Sequence, residues 1–294
     1  MEYTEITKEF IQSFLPDRPL ISNKGTFGKV LNIAGCLKYQ GAAWLSSVAP
    51  LKVGAGLVTL ATVENVINNL AASCPWVTFY PLRDYYNQCI ASDAFKDIIG
   101  VLDDYNIVSV GSGLSSAAPI SAFVDDLIKH LSNSNKPVVI DADAINVLAE
   151  SQIQKLPINS VITPHPMELS RLIKIPVEDI QGNRIKFAKY AAEKYGCTVV
   201  LKGYKTIVCT NNFEVFLNTS GNSSLAKAGS GDVLTGIISG LLAQGLDVKR
   251  ATLLGVYLHG LCGEIASKDL TIYSVLATDI VDYIPKAIKT IQEC

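Results

Sequence analysis

The run Asn222-Ser223-Ser224-Leu225-Ala226-Lys227-Ala228-Gly229-Ser230-Gly231-Asp232-Val233-Leu234-Thr235-Gly236 joins a glycine-rich turn to an acid at the start of an apolar helical pattern. Unhindered amides in such a turn, with the positive end of the following helix, can meet an anion. A carboxylate delivered to the same place can take a proton from an attacking hydroxyl, which is the chemistry of phosphoryl transfer with Asp232 as base. Gly229 and Gly231 supply the bare backbone. The alternative is an ordinary glycine turn with Asp232 as helix cap, and an isolated G-x-G-D favours that alternative. The run is not a Walker loop, since no Lys-Ser or Lys-Thr follows the glycines, and no early strand carries a dinucleotide fingerprint.

Other segments add polar groups beside expected strand ends. Thr163-Pro164-His165-Pro166-Met167-Glu168 holds one of the chain's 3 histidines. Read alone, His165 is a loop histidine between prolines and Glu168 a helix N-terminal acid. Leu201-Lys202-Gly203-Tyr204-Lys205-Thr206 is by itself a basic turn. Gly28 to Gly35 followed by Gly41-Ala42-Ala43-Trp44 reads as strand, loop and helix start, where Ala42 could simply pack. Gly111-Ser112-Gly113-Leu114 is a second flexible turn. Asp141 and Asp143 end a strand and Asn146 opens the next helix, a cluster suited to ribose hydroxyls or to the water ligands of Mg²⁺. A capping role suits Asp143 equally well.

The elements that must position these groups are legible as short apolar strands alternating with helices. The clearest strands are Val30–Ala34, Leu57–Ala61, Ile107–Val110, Val138–Asp141, Val161–Thr163 and Thr198–Leu201. They are continuous rather than alternating in polarity, the mark of parallel strands buried on both faces. In open α/β sheets ligands bind beyond the carboxyl ends of such strands, which is where the polar groups fall. Ile207–Cys209 and Glu214–Leu217 read as an appended hairpin, and Asp232–Leu246 and Ala251–Ala266 as helices. Pro75 to Asp103 has the weakest periodicity and reads as an extended loop or a subunit contact.

Composition sets outer bounds. With 49% apolar and 18% charged residues, the 294-residue chain can fill one large α/β domain over residues 1–294. Its 25 basic and 27 acidic residues form no block, which argues against a nucleic-acid surface. Seven scattered cysteines (Cys36, Cys74, Cys89, Cys197, Cys209, Cys262, Cys294) lack a C-x-x-C pair and read as reduced thiols. The N-terminus resembles neither a secretory signal nor a transit peptide, and every apolar run is too short for a membrane span. These features lead us to expect a cytoplasmic protein with no membrane partner.

Taken together, Lys227–Gly236, Val161–Glu168 and Val139–Asn146 resemble the NAD(P)H-hydrate dehydratases of the ribokinase-like superfamily. The resemblance runs from about Gly25 to Ile284. It implies a central, mostly parallel β-sheet flanked by α-helices on both faces, without the epimerase domain that many bacterial relatives carry in front. It also implies that the hydrated S epimers of NADH and NADPH are phosphorylated on the ring hydroxyl by ADP or ATP with Mg²⁺, after which phosphate leaves. ADP is the preferred donor, because a lone domain resembles the ADP-using branch. Asp232 would be the base and Gly229 and Gly231 would belong to the anion hole. Ala42, Gly113, His165 and Asp232 would meet the dinucleotide. Lys202, Gly203, Tyr204, Lys205, Thr206, Asn222 and Gly231 would hold the nucleotide, and Glu168 would reach Mg²⁺ through water. Ser112 replaces the family's proline in the Gly111 turn, a change the flanking glycines should absorb. The resemblance further implies a homotetramer and an NAD(P)H-hydrate epimerase as functional partner. A kinase of a hydroxymethylpyrimidine or thiazole alcohol is the runner-up, and His165, where such kinases usually carry Asn, speaks against it. A nucleotide sensor ranks last, because it would have no need of Asp232.

Overall fold

The computed structural model describes residues 3–293. Its strands are β1 (Thr4–Ile6), β2 (Lys29–Ile33), β3 (Leu57–Val63), β4 (Thr78–Leu82), β5 (Asp84–Tyr85), β6 (Cys89–Ile90), β7 (Ile107–Val110), β8 (Val138–Ile140), β9 (Ser160–Ile162), β10 (Thr198–Leu201), β11 (Ile207–Cys209) and β12 (Val215–Asn218). β5 and β6 form a small hairpin; the others make one sheet in the order β1-β12-β11-β10-β9-β8-β7-β2-β3-β4. From β10 to β4 every pairing is parallel, and only β11 runs against its neighbours. The expected parallel sheet with its appended hairpin is therefore present.

β7, β8, β9 and β10 are buried along their whole length, as strands covered on both faces must be. The helices Gln40–Lys52, Ser230–Ala243, Val248–Leu270 and Ala277–Gln292 pack into one layer. A second set, Ala118–Leu131, Ala142–Glu150, Pro166–Ile173, Val177–Gly182 and Arg184–Tyr195, forms a succession of packed neighbours. A buried amide ties β2 to its surroundings: Asn32 Nδ2 donates to Ser46 Oγ (2.8 Å) and Ser47 Oγ (2.9 Å), and its Oδ1 accepts from Ser109 Oγ (2.7 Å). With its donors and acceptor occupied, the amide fixes helix and strands in register at little desolvation cost.

Three expectations need correction. Asn146 does not open a helix but lies inside Ala142–Glu150, where its Oδ1 accepts from Arg171 (3.0 Å). Residues 75–103 are not a structureless loop: they hold β4, the β5–β6 hairpin and the short helix Phe95–Ile98. β4 is an edge strand containing Pro81, and a proline inside a run argues against reading it as a strand. The helix expected over Asp232–Leu246 spans Ser230–Ala243, bounded by Gly229 (φ +90°) and Gly245 (φ +91°). β1, three residues long with one side chain buried, is too short to show a pattern. Cys294 lies outside the described residues; the other six cysteines are buried and free, as expected.

Candidate active site

The site gathers where β7, β8, β9 and β10 end and the Ser230–Ala243 helix begins. After β8, Ala142 adopts φ +46°, a left-handed conformation uncommon for alanine, and the chain turns sharply. The two neighbouring acids consequently diverge. Asp141 Oδ1 accepts from Thr163 Oγ1 (2.6 Å) and from Lys202 Nζ (2.9 Å). Asp143 Oδ2 accepts from the Ser115 amide (2.8 Å), so it does not cap its own helix. Burial raises the Asp143 carboxyl above its ordinary range, and the Ser115 amide opposes the rise.

After β9, His165 caps the Pro166–Ile173 helix in a reciprocal box. Its Nδ1 accepts from the Met167 and Glu168 amides (3.1 and 3.3 Å), while Glu168 Oε2 accepts from the His165 amide (2.7 Å). Because Nδ1 accepts, the neutral ring carries its hydrogen on Nε2, which stands 3.4 Å from Glu168 Oε1. Burial, aided by Lys202 and Arg171, lowers the ring's pKa. Burial also raises that of the Glu168 carboxyl, with Lys202 opposing.

Lys202, at the end of β10, is the cation that these acids share. Its Nζ is also 3.7 Å from Glu168 Oε2. Desolvation draws its pKa down, but Asp141 and Glu168 outweigh that and the ammonium is held charged. A Cβ placed on Gly231 would come within 3.3 Å of Lys202 Nζ, so the ammonium sits at the foot of the glycine-rich turn rather than in solvent.

Asp232 is the third residue of the Ser230–Ala243 helix, whose N-cap is Gly229, with no side-chain capping bond. The capping alternative is thereby removed. Burial pushes the Asp232 carboxyl up to about 7, and the charge of Asp141 adds to the rise. The neighbouring Ser112 hydroxyl, buried and without a hydrogen-bond partner, and the Lys202 ammonium hold it from going further. A carboxylate at that value is a competent base near neutral pH, unlike an exposed aspartate.

A cavity of about 850 Å³ opens beside these groups, a size suited to a nucleotide. Lys202, Gly203, Tyr204, Lys205, Thr206, Asn222 and Gly231, all expected at a nucleotide, line it, and His165, expected at the dinucleotide, lines the same cavity instead of standing with Ala42 and Gly113. Ala42 and Gly113 do not line it but stand together: a Cβ on Gly113 would come within 2.8 Å of Ala42 Cβ. They adjoin Ser112 and so meet the site from the Asp232 side. Glu168 and Gly229 lie behind the lining, Gly229 packed so closely that a Cβ would fall 2.6 Å from Leu45 Cδ1. Sequence reasoning missed the Lys202–Asp141–Glu168 cluster and His259, which reaches Ser230 from the Val248–Leu270 helix. No local motif announces either, because their partners are 29 or more residues away.

Comparison with known proteins agrees with this fold. The family model Carb_kinase, NAD(P)H-hydrate dehydratase, matches residues 30–286. The ADP-dependent (S)-NAD(P)H-hydrate dehydratase of Bacillus subtilis is 34% identical over 96% of this chain and 97% of its own length. The crystal structure of the Bacillus subtilis ADP/ATP-dependent NAD(P)H-hydrate dehydratase, co-crystallized with ATP/Mg²⁺, superposes with a TM-score of 0.86 at 31% identity, covering 99% of both chains. A ribokinase-like superfamily protein of Enterococcus faecalis superposes with a TM-score of 0.87 at 29% identity, covering 100% of this chain and 98% of its own. The chain spans about half the length of the bifunctional NAD(P)H-hydrate repair enzymes it also matches (54% and 53%). On the strength of fold, site and sequence together, the chain belongs to the NAD(P)H-hydrate dehydratase family.

Proposed function

We propose that the chain dehydrates the hydrated S forms of NADH and NADPH at the expense of ADP or ATP, restoring the reduced dinucleotide. The observation that carries this reading is Asp232, half-buried, pushed up to about 7 and set beside both a glycine amide turn and the Lys202 ammonium. The dinucleotide enters past Ala42 and Gly113 and the nucleotide fills the Lys202–Asn222 cavity, so their reacting ends meet at Asp232. Asp232 takes the proton of the ring hydroxyl as its oxygen attacks the terminal phosphorus of the nucleotide. The new P–O bond forms while the bond to the departing AMP or ADP breaks. The amides around Gly229 and Gly231 and the nearby Lys202 ammonium stabilise charge on the transferred group. Phosphate then leaves with the C–O electron pair, the ring nitrogen's lone pair assisting. Loss of a ring proton restores the double bond.

Among the described residues no group of three His, Cys, Asp or Glu side chains could hold a metal. A single carboxylate acting through water suits Mg²⁺ that is carried on nucleotide phosphates. Glu168, already bonded to the His165 amide and near Lys202, would reach it through water. When bound, the ion neutralises phosphate charge.

The same reading makes ADP the preferred donor and residues 1–294 one domain of a cytoplasmic homotetramer. Support for assembly is the bare apolar pair Leu20 and Ile21, 103% and 97% exposed. Support for location is that no helix among the described residues is long and apolar enough to cross a membrane and that six thiols are free. An NAD(P)H-hydrate epimerase is the functional partner, in keeping with relatives named bifunctional repair enzymes. The test adds protein, Mg²⁺ and either ADP or ATP to NADH hydrate and follows the near-ultraviolet absorbance of the dihydronicotinamide ring. Recovery, faster with ADP, is expected. No recovery with either nucleotide, together with phosphorylation of thiazole or pyrimidine alcohols, would replace the reading by a vitamin-precursor kinase.

A further inference from the structure

One face of the Val248–Leu270 helix holds the whole glycine-rich loop from behind. Ser220 Oγ donates to the Tyr257 carbonyl (2.8 Å), Glu264 Oε1 accepts from the Gly221 amide (2.7 Å), and Asn222 Nδ2 donates to Ser267 Oγ (2.9 Å). The approach is so close that a Cβ on Gly260 would lie 2.1 Å from Ser220 Oγ. These contacts anchor the nucleotide end of the loop. At its catalytic end a single side chain reaches across: His259 Nε2 lies 2.9 Å from the Ser230 carbonyl and 3.1 Å from Ser230 Oγ.

A carbonyl can only accept, so His259 Nε2 carries the hydrogen and donates. Burial pulls the ring down to about 4, which keeps it neutral and leaves Nε2–H as its one donor. The Ser230 carbonyl shares a planar trans peptide with the Gly231 amide, and in such a unit C=O and N–H point in opposite directions. Holding the carbonyl therefore aims the Gly231 N–H away from His259, toward the helix mouth where the transferred phosphoryl group arrives. Glycine is the residue least able to hold that plane by itself.

We propose that His259 is a positioning residue for phosphoryl transfer, whose Nε2–H fixes the Ser230–Gly231 peptide so that the Gly231 amide meets the transferred group. This rests on the function proposed above. His259→Gln can carry an amide nitrogen as far as Nε2, whereas His259→Asn stops at the Nδ1 position. The Asn variant should lose about 10- to 100-fold in kcat with KM for ADP changed less than about threefold, and the Gln variant should stay within about fivefold of the parent kcat. In ¹H–¹⁵N spectra the Gly231 amide should move on addition of ADP in the parent and Gln proteins and fail to do so in the Asn protein. Equal losses in Asn and Gln, a kcat retained by Asn, or a loss confined to KM would each overturn the role. If the parent leaves the hydrate untouched, the dehydratase reading fails by itself, and the response of the Gly231 amide to ADP still decides for or against His259.

Discussion

A carboxylate in water is a weak base at neutral pH, and Asp232 becomes a stronger one only because folding removes its solvent and sets Asp141 beside it. The rate should follow its ionisation: kcat/KM falls about tenfold per pH unit below about 7 and levels off above it, read from a pH profile at fixed nucleotide. The same shift fixes a stability effect. A carboxyl whose pKa is raised from 3.8 to about 7 by folding stabilises the native state while protonated, and that stability is lost as pH rises through 7. Asp232→Asn should therefore lower turnover at least about 1,000-fold while raising stability above pH 7 by roughly 2 to 4 kcal/mol. Denaturant titrations of both proteins at acid and alkaline pH check the sign; a variant less stable than the parent at alkaline pH would show that the buried charge is fully compensated. At His165 two duties must be separated, since the ring both caps a helix and lines the cavity. His165→Asn keeps a capping acceptor, so it should leave Tm nearly unchanged and raise KM for the hydrate well above any change for ADP. Equal changes in both KM values would move His165 off the dinucleotide.

Among the elements, the Ser230–Ala243 helix carries the greatest constraint, because it presents the glycine-rich turn at one end and packs along the Gln40–Lys52 helix over its length. That packing depends on two glycines. A Cβ on Gly236 would come within 2.8 Å of Ala49 Cβ, and one on Gly240 within 2.7 Å of the Pro50 carbonyl oxygen. Neither neighbour is a flexible tip that could give way. Gly240→Val should destabilise the fold by about 1 to 3 kcal/mol, as overpacking of a close helix contact does, and should lower kcat through displacement of the turn. Urea unfolding and steady-state kinetics on the same preparation measure the two effects. Gly240→Val with parental stability would mean that the helices part without cost.

For the molecule as a whole, the sheet is tied to the Gln40–Lys52 helix by the buried amide of Asn32. Asn32→Leu removes the partner of Ser47 and Ser109 and should cost about 2 kcal/mol, with kcat per folded molecule retained. Thermal melts and active-site titration test this; a variant as stable as the parent would show that water replaces the amide. The sequence by itself determined the parallel α/β architecture, since each central strand is a local apolar run, and it identified Asp232, His165 and the Lys202–Thr206 turn because their motifs are contiguous. It left β1 and β4 unseen. β1 buries one side chain and finds its register only on β12, with Thr4 opposite Phe216, and β4 is an edge strand interrupted by Pro81. It also left Asp232 undecided between cap and base. Only the tertiary structure removed the capping alternative, by making Gly229 the cap, and it sets Asp141 and Lys202 close enough to act on the carboxyl. It likewise turned Lys202 inward onto Asp141 and brought His259 beneath Ser230. Charges and donors acquire their roles from neighbours that are remote in the chain, and burial at the junction of strands and helix supplies the low dielectric in which those neighbours matter.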